Sequence, residues 1–196
     1  MKKNSFLITG GSGLLGSTIY KKLKSLNYEV TKQSRKKKKF FTKINLLNKI
    51  ETNNALKKLK PNIIIHTAGL IDVDKCQKDY NSAYNSNVRI LENICDYINQ
   101  NHKCHLINIS TDHLYSDLGP HNESNVKIIN NYALTKYLGE LVAKKVDATS
   151  LRVNFVGKSI STKNSLTDWF IESCNKKKKK LNYTKIFFFH HLKSTK

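Results

Sequence analysis

Residues 5–26, SFLITGGSGLLGSTIYKKLKSL, constrain the fold more than any other part of the chain. A short apolar run stops at a cluster of glycines. A segment with apolar residues at helical spacing follows (Leu15, Ile19, Leu23, Leu26), with lysines on its other face. The glycines satisfy two patterns at once: Gly10, Gly13 and Gly16 give GxxGxxG, and Gly11, Gly13 and Gly16 give GxGxxG. Between a strand and a helix, such spacing suits a tight turn whose backbone approaches a pyrophosphate closely, with free N–H groups at the helix start. Gly10, Gly11, Ser12, Gly13, Leu14, Leu15 and Gly16 are therefore candidate cofactor-binding residues; alone, the motif is equally a structural turn.

The rest of the chain extends the same alternation. YEVTKQ reads as a second strand, a helix is expected around Leu46 to Leu59, and NIIIHTAG reads as a buried strand stopped by Gly69. A helix is expected over 82–99, then the strand HLINIST, the helix NYALTKYLGELVAKKV and the strand ATSLRVNFVG. Strands alternating with helices predict an α/β fold: a Rossmann-like, doubly wound parallel sheet with helices on both faces. Ligands of such sheets bind beyond the carboxyl ends of the strands.

An acidic residue at the end of the second strand would hold a ribose 2′-hydroxyl. Here the text is TKQSRKKKK, with no carboxylate. Ser34, Arg35 and Lys36 suit a 2′-phosphate instead, so NADP(H) is preferred and NAD(H) remains possible. The alternative is an ordinary solvated lysine run. Lys and Arg total 35 against 14 acidic residues, a formal charge of +21. The lysines are spread along the whole chain and are not interleaved with aromatics as a single-strand platform requires, so no specific nucleic-acid partner is expected. No apolar run approaches membrane-spanning length and no secretory leader is visible, so the expectation is a cytoplasmic protein with no membrane partner. Four cysteines without CxxC spacing read as reduced thiols. HKCH, His102 to His105, offers one short cluster with no second ligand pair, and no metal is expected.

Tyr132 and Lys136 lie four residues apart on one predicted helix, so they share a face. A neighbouring ammonium favours phenolate and lowers a phenol's pKa, which is the chemical reason for such a pairing. Leu134, Leu138, Leu141 and Val142 form a different stripe, expected to pack on the sheet. NISTD ends the preceding strand and brings Ser110, Thr111 and Asp112 to the carboxyl edge, where substrate sits.

Glycine turn, strand-end hydroxyl and YxxxK in this order resemble the extended short-chain dehydrogenase/reductases that modify sugar nucleotides, most of all the dTDP-4-dehydrorhamnose reductase group. The pieces that carry the resemblance are TGGSGLLG, HTAGLIDVDKCQ, NSNV, ISTDHLYS, NNYALTKYLGE and LRVNFVGK, from about residue 5 to residue 158. The resemblance implies that Tyr132 protonates a sugar keto oxygen, that Lys136 holds the nicotinamide ribose and tunes Tyr132, and that Thr111 polarises the keto group with Asp112 beside it. It places Ala68 and Gly69 along the cofactor, Asn45 and Leu46 near the adenine, and Asn87 behind the site. The implied substrate is a nucleotide sugar, and a homodimer is open to the chain. Three residues depart from the pattern: Asn45 stands for an Asp, no Pro precedes Tyr132 in IINNYA, and Gln77 replaces an acidic residue. Related epimerases and dehydratases, which retain NAD, and a regulatory dinucleotide-binding subunit are the other readings.

The domain expectation is a NAD(P)-binding domain over 1–160 and the start of a substrate domain over 161–196. The run CNKKKKKLNY implies a long adenine tract, so the text after about residue 180 is expected to be truncated or out of frame; the alternative is a genuine short tail.

Overall fold

The computed structural model describes residues 4–100, 103–116 and 119–154, all within the compact unit Met1–Phe155. The expectations for 161–196 lie outside the described residues. Among the described residues, six strands form one parallel sheet in the order β3-β2-β1-β4-β5-β6. The strands are β1 (Ser5–Thr9), β2 (Glu29–Ser34), β3 (Thr42–Lys43), β4 (Ile63–His66), β5 (His105–Thr111) and β6 (Ala148–Val153). This is the doubly wound order, with its switch point between β1 and β4. Only β3, two residues long at the edge, lacks a counterpart in the sequence reading.

Both faces are covered. Leu7, Ile64 and Leu106 pack with Leu91, Ile94 and Ile98 of α5 (Ile90–Gln100), together with Leu56 of α2 (Lys49–Leu59). Ile8, Val30 and Ile65 pack on the other face with Ile19, Tyr20 and Leu23 of α1 (Leu14–Ser25). Leu26, expected on the α1 stripe, is 52% exposed, because α1 stops at Ser25 and Leu26 caps it. Asn48 begins α2 by accepting a hydrogen bond from the Glu51 amide. That cap moves the helix start three residues beyond the expected Leu46.

One polar layer crosses the sheet at its carboxyl end. Thr9, His66, Asn108 and Ser150 are register partners across β1, β4, β5 and β6, one layer above Leu7, Ile64, Leu106 and Ala148. Thr9 Oγ1 and His66 Nδ1 are 2.8 Å apart, and Asn108 Nδ2 donates to Ser150 Oγ at 3.1 Å. Burial, with the Lys136 charge adding to it, pushes the His66 imidazole down to about 3, so it is neutral at ordinary pH.

The expected helix over 82–99 is two helices, α4 (Tyr80–Tyr84) and α5, joined by a π-turn over Asn85–Arg89. Preceding them is α3 (Val73–Lys78). The last helix among the described residues, α6 (Asn131–Ala143), starts on an Asn130 cap whose side chain accepts from the Ala133 amide. Its inward face corrects the sequence reading. The buried residues are Tyr132, Ala133, Thr135, Lys136, Gly139, Glu140 and Ala143, whereas Leu141 is 39% exposed. Gly139 shows why: a Cβ there would lie 2.7 Å from the Asn87 carbonyl oxygen, so α6 crosses the π-turn too closely for a leucine stripe.

Candidate active site

The glycine turn lies at the β1 end of the switch point. Gly10 has φ +64°, and a Cβ there would meet the Ala68 amide nitrogen at 2.7 Å. At Gly16 a Cβ would come within 2.7 Å of the Gly10 carbonyl oxygen, which lets α1 start close against the turn. Gly13 is different: the nearest atom a Cβ would meet is 3.4 Å away, so packing alone does not demand glycine there. Gly13 is also the N-cap of α1, and neither a capping side chain nor an acidic residue occupies the first turn. The exposed Ser12 and Gly13 and the half-buried Leu14 and Leu15 therefore surround uncapped helix amides. That is the donor set a pyrophosphate requires, and the residues fit a dinucleotide.

Gln33, which sequence reasoning missed, shapes this turn. It is buried; its Oε1 accepts from the Gly10 amide at 3.1 Å and its Nε2 donates to the Ile44 carbonyl at 2.7 Å. The only sequence signal was its place at the end of β2. Beyond it, Ser34 is buried and its carbonyl accepts from the Ile44 amide, whereas Arg35 and Lys36 are exposed. Asn45 Oδ1 accepts from the Leu47 amide at 3.3 Å, shaping its own turn, and the Leu46 side chain is buried. Ala68 is half-buried and Gly69 exposed after β4.

Asn87 stands behind the site rather than in it. Its Oδ1 accepts from the Leu70 amide at 2.8 Å, while its Nδ2 donates to the Leu70 carbonyl and to Thr135 Oγ1, both at 3.0 Å. One side chain from the π-turn thus ties the post-β4 loop to α6. Asn87 sits in the middle of the π-turn, a helical irregularity of the kind that recurs at functional sites.

Tyr132 and Lys136 are both buried and one turn apart on α6. The Tyr132 ring packs with Cys76 of α3 and meets His113 edge-on at 5.4 Å between centroids. Burial pushes its phenol up, the Thr111 hydroxyl hydrogen-bonded to it works the other way, and the Asp112 charge pushes it up again. Lys136 is not among the groups that shift it. The expected lowering of the phenol by the ammonium is therefore not what this structure shows, because Lys136 Nζ is turned to the Ile109 carbonyl at 2.5 Å. Burial brings Lys136 itself down to about 8, against the opposing pull of Glu140. Asp112 Oδ2 accepts from Asn154 Nδ2 at 3.0 Å. The structure does not bring Ser110 beside Thr111. Its side chain alternates to the face of β5 opposite that of Thr111, is buried, and has a hydroxyl unpartnered among the described residues. His105 of HKCH bonds Asp147 and Thr149, and His102 lies outside the described residues.

Comparison with known proteins places the whole chain rather than its single residues. The family model described as "NAD dependent epimerase/dehydratase family" matches residues 6–193. The chain belongs to that family. Methionine adenosyltransferase 2 subunit beta of Danio rerio is 28% identical to this epimerase/dehydratase-family chain over 137 residues, covering 68% of it and 42% of the relative. dTDP-4-dehydrorhamnose reductase of Aggregatibacter actinomycetemcomitans is 30% identical over 110 residues, 56% of this chain and 35% of that one. Among solved structures, dTDP-4-dehydrorhamnose reductase of Bacillus anthracis in complex with NADP superposes with a TM-score of 0.69 at 25% identity, covering 78% of this chain and 54% of that one. The chain therefore spans less than half the length of these curated relatives. These matches support a dinucleotide-binding fold that takes a nicotinamide dinucleotide as its cofactor.

Proposed function

We propose that this chain carries the cofactor half and the proton donor of a reductase acting on a nucleotide-linked 4-keto sugar, with NADPH as the preferred coenzyme. The observation that carries the reading is the setting of Tyr132. Its side chain is buried, next to the Thr111 hydroxyl at the end of β5 and one helical turn before the buried Lys136, where a proton donor to a keto oxygen would stand. NADPH bound along the glycine turn supplies the hydride. Thr111 holds the keto oxygen against the phenol, Tyr132 gives its proton to that oxygen as charge develops there, and Lys136 secures the ribose. The uncapped amides around Gly13 hold the pyrophosphate, and exposed Arg35 and Lys36, where an acidic residue would reject it, pair with the 2′-phosphate. Similarity to the reductases and to the NADP-bound structure supports the choice of substrate and coenzyme.

The test is a pair of titrations on wild type and Tyr132→Phe. NADPH binding followed by its fluorescence should be tighter than NADH binding by about tenfold or more, and equal in both proteins. Oxidation of NADPH by a dTDP-4-keto-6-deoxy sugar should fall by about a thousandfold in Tyr132→Phe. Binding without turnover in the wild type would instead favour the second reading, a regulatory dinucleotide-binding subunit, for which the likeness to methionine adenosyltransferase 2 subunit beta speaks.

A further inference from the structure

Behind Lys136 lies an ion pair that the site chemistry above does not use. Glu140, one turn further along α6, is 2% exposed, and both its oxygens are taken by Arg152 of β6. Arg152 Nε donates at 3.0 and 3.2 Å to the two oxygens, and its Nη2 donates to Oε2 at 2.7 Å. The other guanidinium nitrogen, Nη1, donates to the Tyr115 hydroxyl at 2.9 Å and to the Glu123 carbonyl at 2.8 Å. The guanidinium also lies over the Tyr115 ring at 5.3 Å, and Tyr115 stacks flat on His121. Tyr115, His121 and Glu123 belong to the segment between Thr111 and α6. Arg152 is thus one residue with a hand on that segment and a hand on the carboxylate behind the lysine.

A buried ion pair is a poor stabiliser, since taking two charges out of water costs about as much as their attraction returns. Two apolar side chains would join α6 to β6 as well. The placement makes sense electrostatically. Glu140 lies one turn from a buried ammonium, and in a low-dielectric setting its charge acts on Lys136 at full strength unless Arg152 offsets it. The groups around Lys136 are otherwise quiet: His66 of β4 is neutral, β5 offers the Ile109 carbonyl, and Tyr132 on α6 and Cys76 of α3 are protonated. Asp112, after β5, is held by Asn154. We propose that Arg152 is a positioning residue that sets the charge of Lys136 through Glu140, coupling the segment it anchors to the charge state of the lysine. The proposal deepens the reading of Lys136 as the ribose-holding residue and rests on it for its consequence, though not for its test.

The two partners carry opposite signs, so replacing them has opposite effects, which a purely structural pair would not give. The experiment is NMR titration of the full chain labelled at lysine 13Cε, with the Lys136 signal assigned by its loss in Lys136→Met. In Glu140→Gln the guanidinium faces the ammonium without its counter-charge, and Lys136 should lose its proton about one pH unit earlier than in wild type. With Arg152→Met the lone carboxylate supports the ammonium, or takes up a proton and leaves the pair neutral, so the midpoint should rise or stay. Arg152→Lys, which keeps the cation and disturbs packing least, should leave it within about 0.3 units. An unchanged or raised midpoint in Glu140→Gln, or a fall in both Glu140→Gln and Arg152→Met, overturns the proposal. Should Arg152→Met fail to fold, a fall in Arg152→Lys equal to that in Glu140→Gln overturns it in the same way. NADPH binding against pH is measured alongside. A wild type that binds no NADPH refutes the functional reading while the titration still decides the charge relay.

Discussion

Lys136 shows what a buried ammonium costs the fold. An unfolded lysine titrates near 10.4, and in the folded chain burial brings it down to about 8. Below about pH 8 both states hold the proton, and the fold bears the full cost of an ammonium away from water. Between about 8 and 10.4 the folded state releases its proton first, so the unfolded state binds more protons and stability rises with pH. Lys136→Met should therefore be more stable than wild type at pH 7, by about 1–3 kcal/mol. That gain should shrink towards pH 10, and urea unfolding of both proteins at several pH values checks it. The same burial pushes the Cys95 and Cys104 thiols up to about 12, which makes them inert packing groups.

At the scale of elements, the glycine turn separates two reasons for the same residue type. Gly10 and Gly16 serve the backbone, and alanine at either should cost more than about 2 kcal/mol by strain or backbone collision. Gly13→Ala should leave the melting temperature almost unchanged and weaken NADPH binding about tenfold or more, because a methyl intrudes only where the pyrophosphate would lie. Calorimetry and fluorescence titration together distinguish the three. The turn, the parallel strands and the Tyr132–Lys136 spacing were legible because periodicity and glycine spacing are local signals. What α6 turns inward was not. Its leucines suggested an apolar seam, but the close crossing at Gly139 rotates the helix so that Tyr132, Thr135, Lys136 and Glu140 face in. Gln33 and Arg152 were invisible as site-shapers, and Asn87 was named only through the resemblance, for a related reason. Each acts on a partner between 11 and 48 residues away, through hydrogen bonds that no window of sequence contains.

For the whole molecule, a charge of +21 on 196 residues sets lysine against lysine across the surface. Self-repulsion of this kind destabilises the compact state and is relieved when salt shortens its range from about 30 Å at 0.01 M to about 8 Å at 0.15 M. The melting temperature should climb by several degrees over that interval, equally in sodium and potassium chloride. A flat response would mean that the charges are already locally compensated. Among the described residues no helix is long and apolar enough to cross a membrane. The sheet itself carries a further safeguard. A strand slipped by one residue turns its apolar side chains outward and is rejected at once, but a slip of two keeps every side chain on its proper face. Hydrophobic patterning is a parity check, blind to even errors. The row Thr9–His66–Asn108–Ser150 is not: a two-residue slip of β4 would set His66 beside Leu7 or Ile64 beside Thr9, with the imidazole stranded in hydrocarbon. Four polar residues in one layer thus make the even slip as detectable as the odd one, and they do so in the layer on which the lysine is seated.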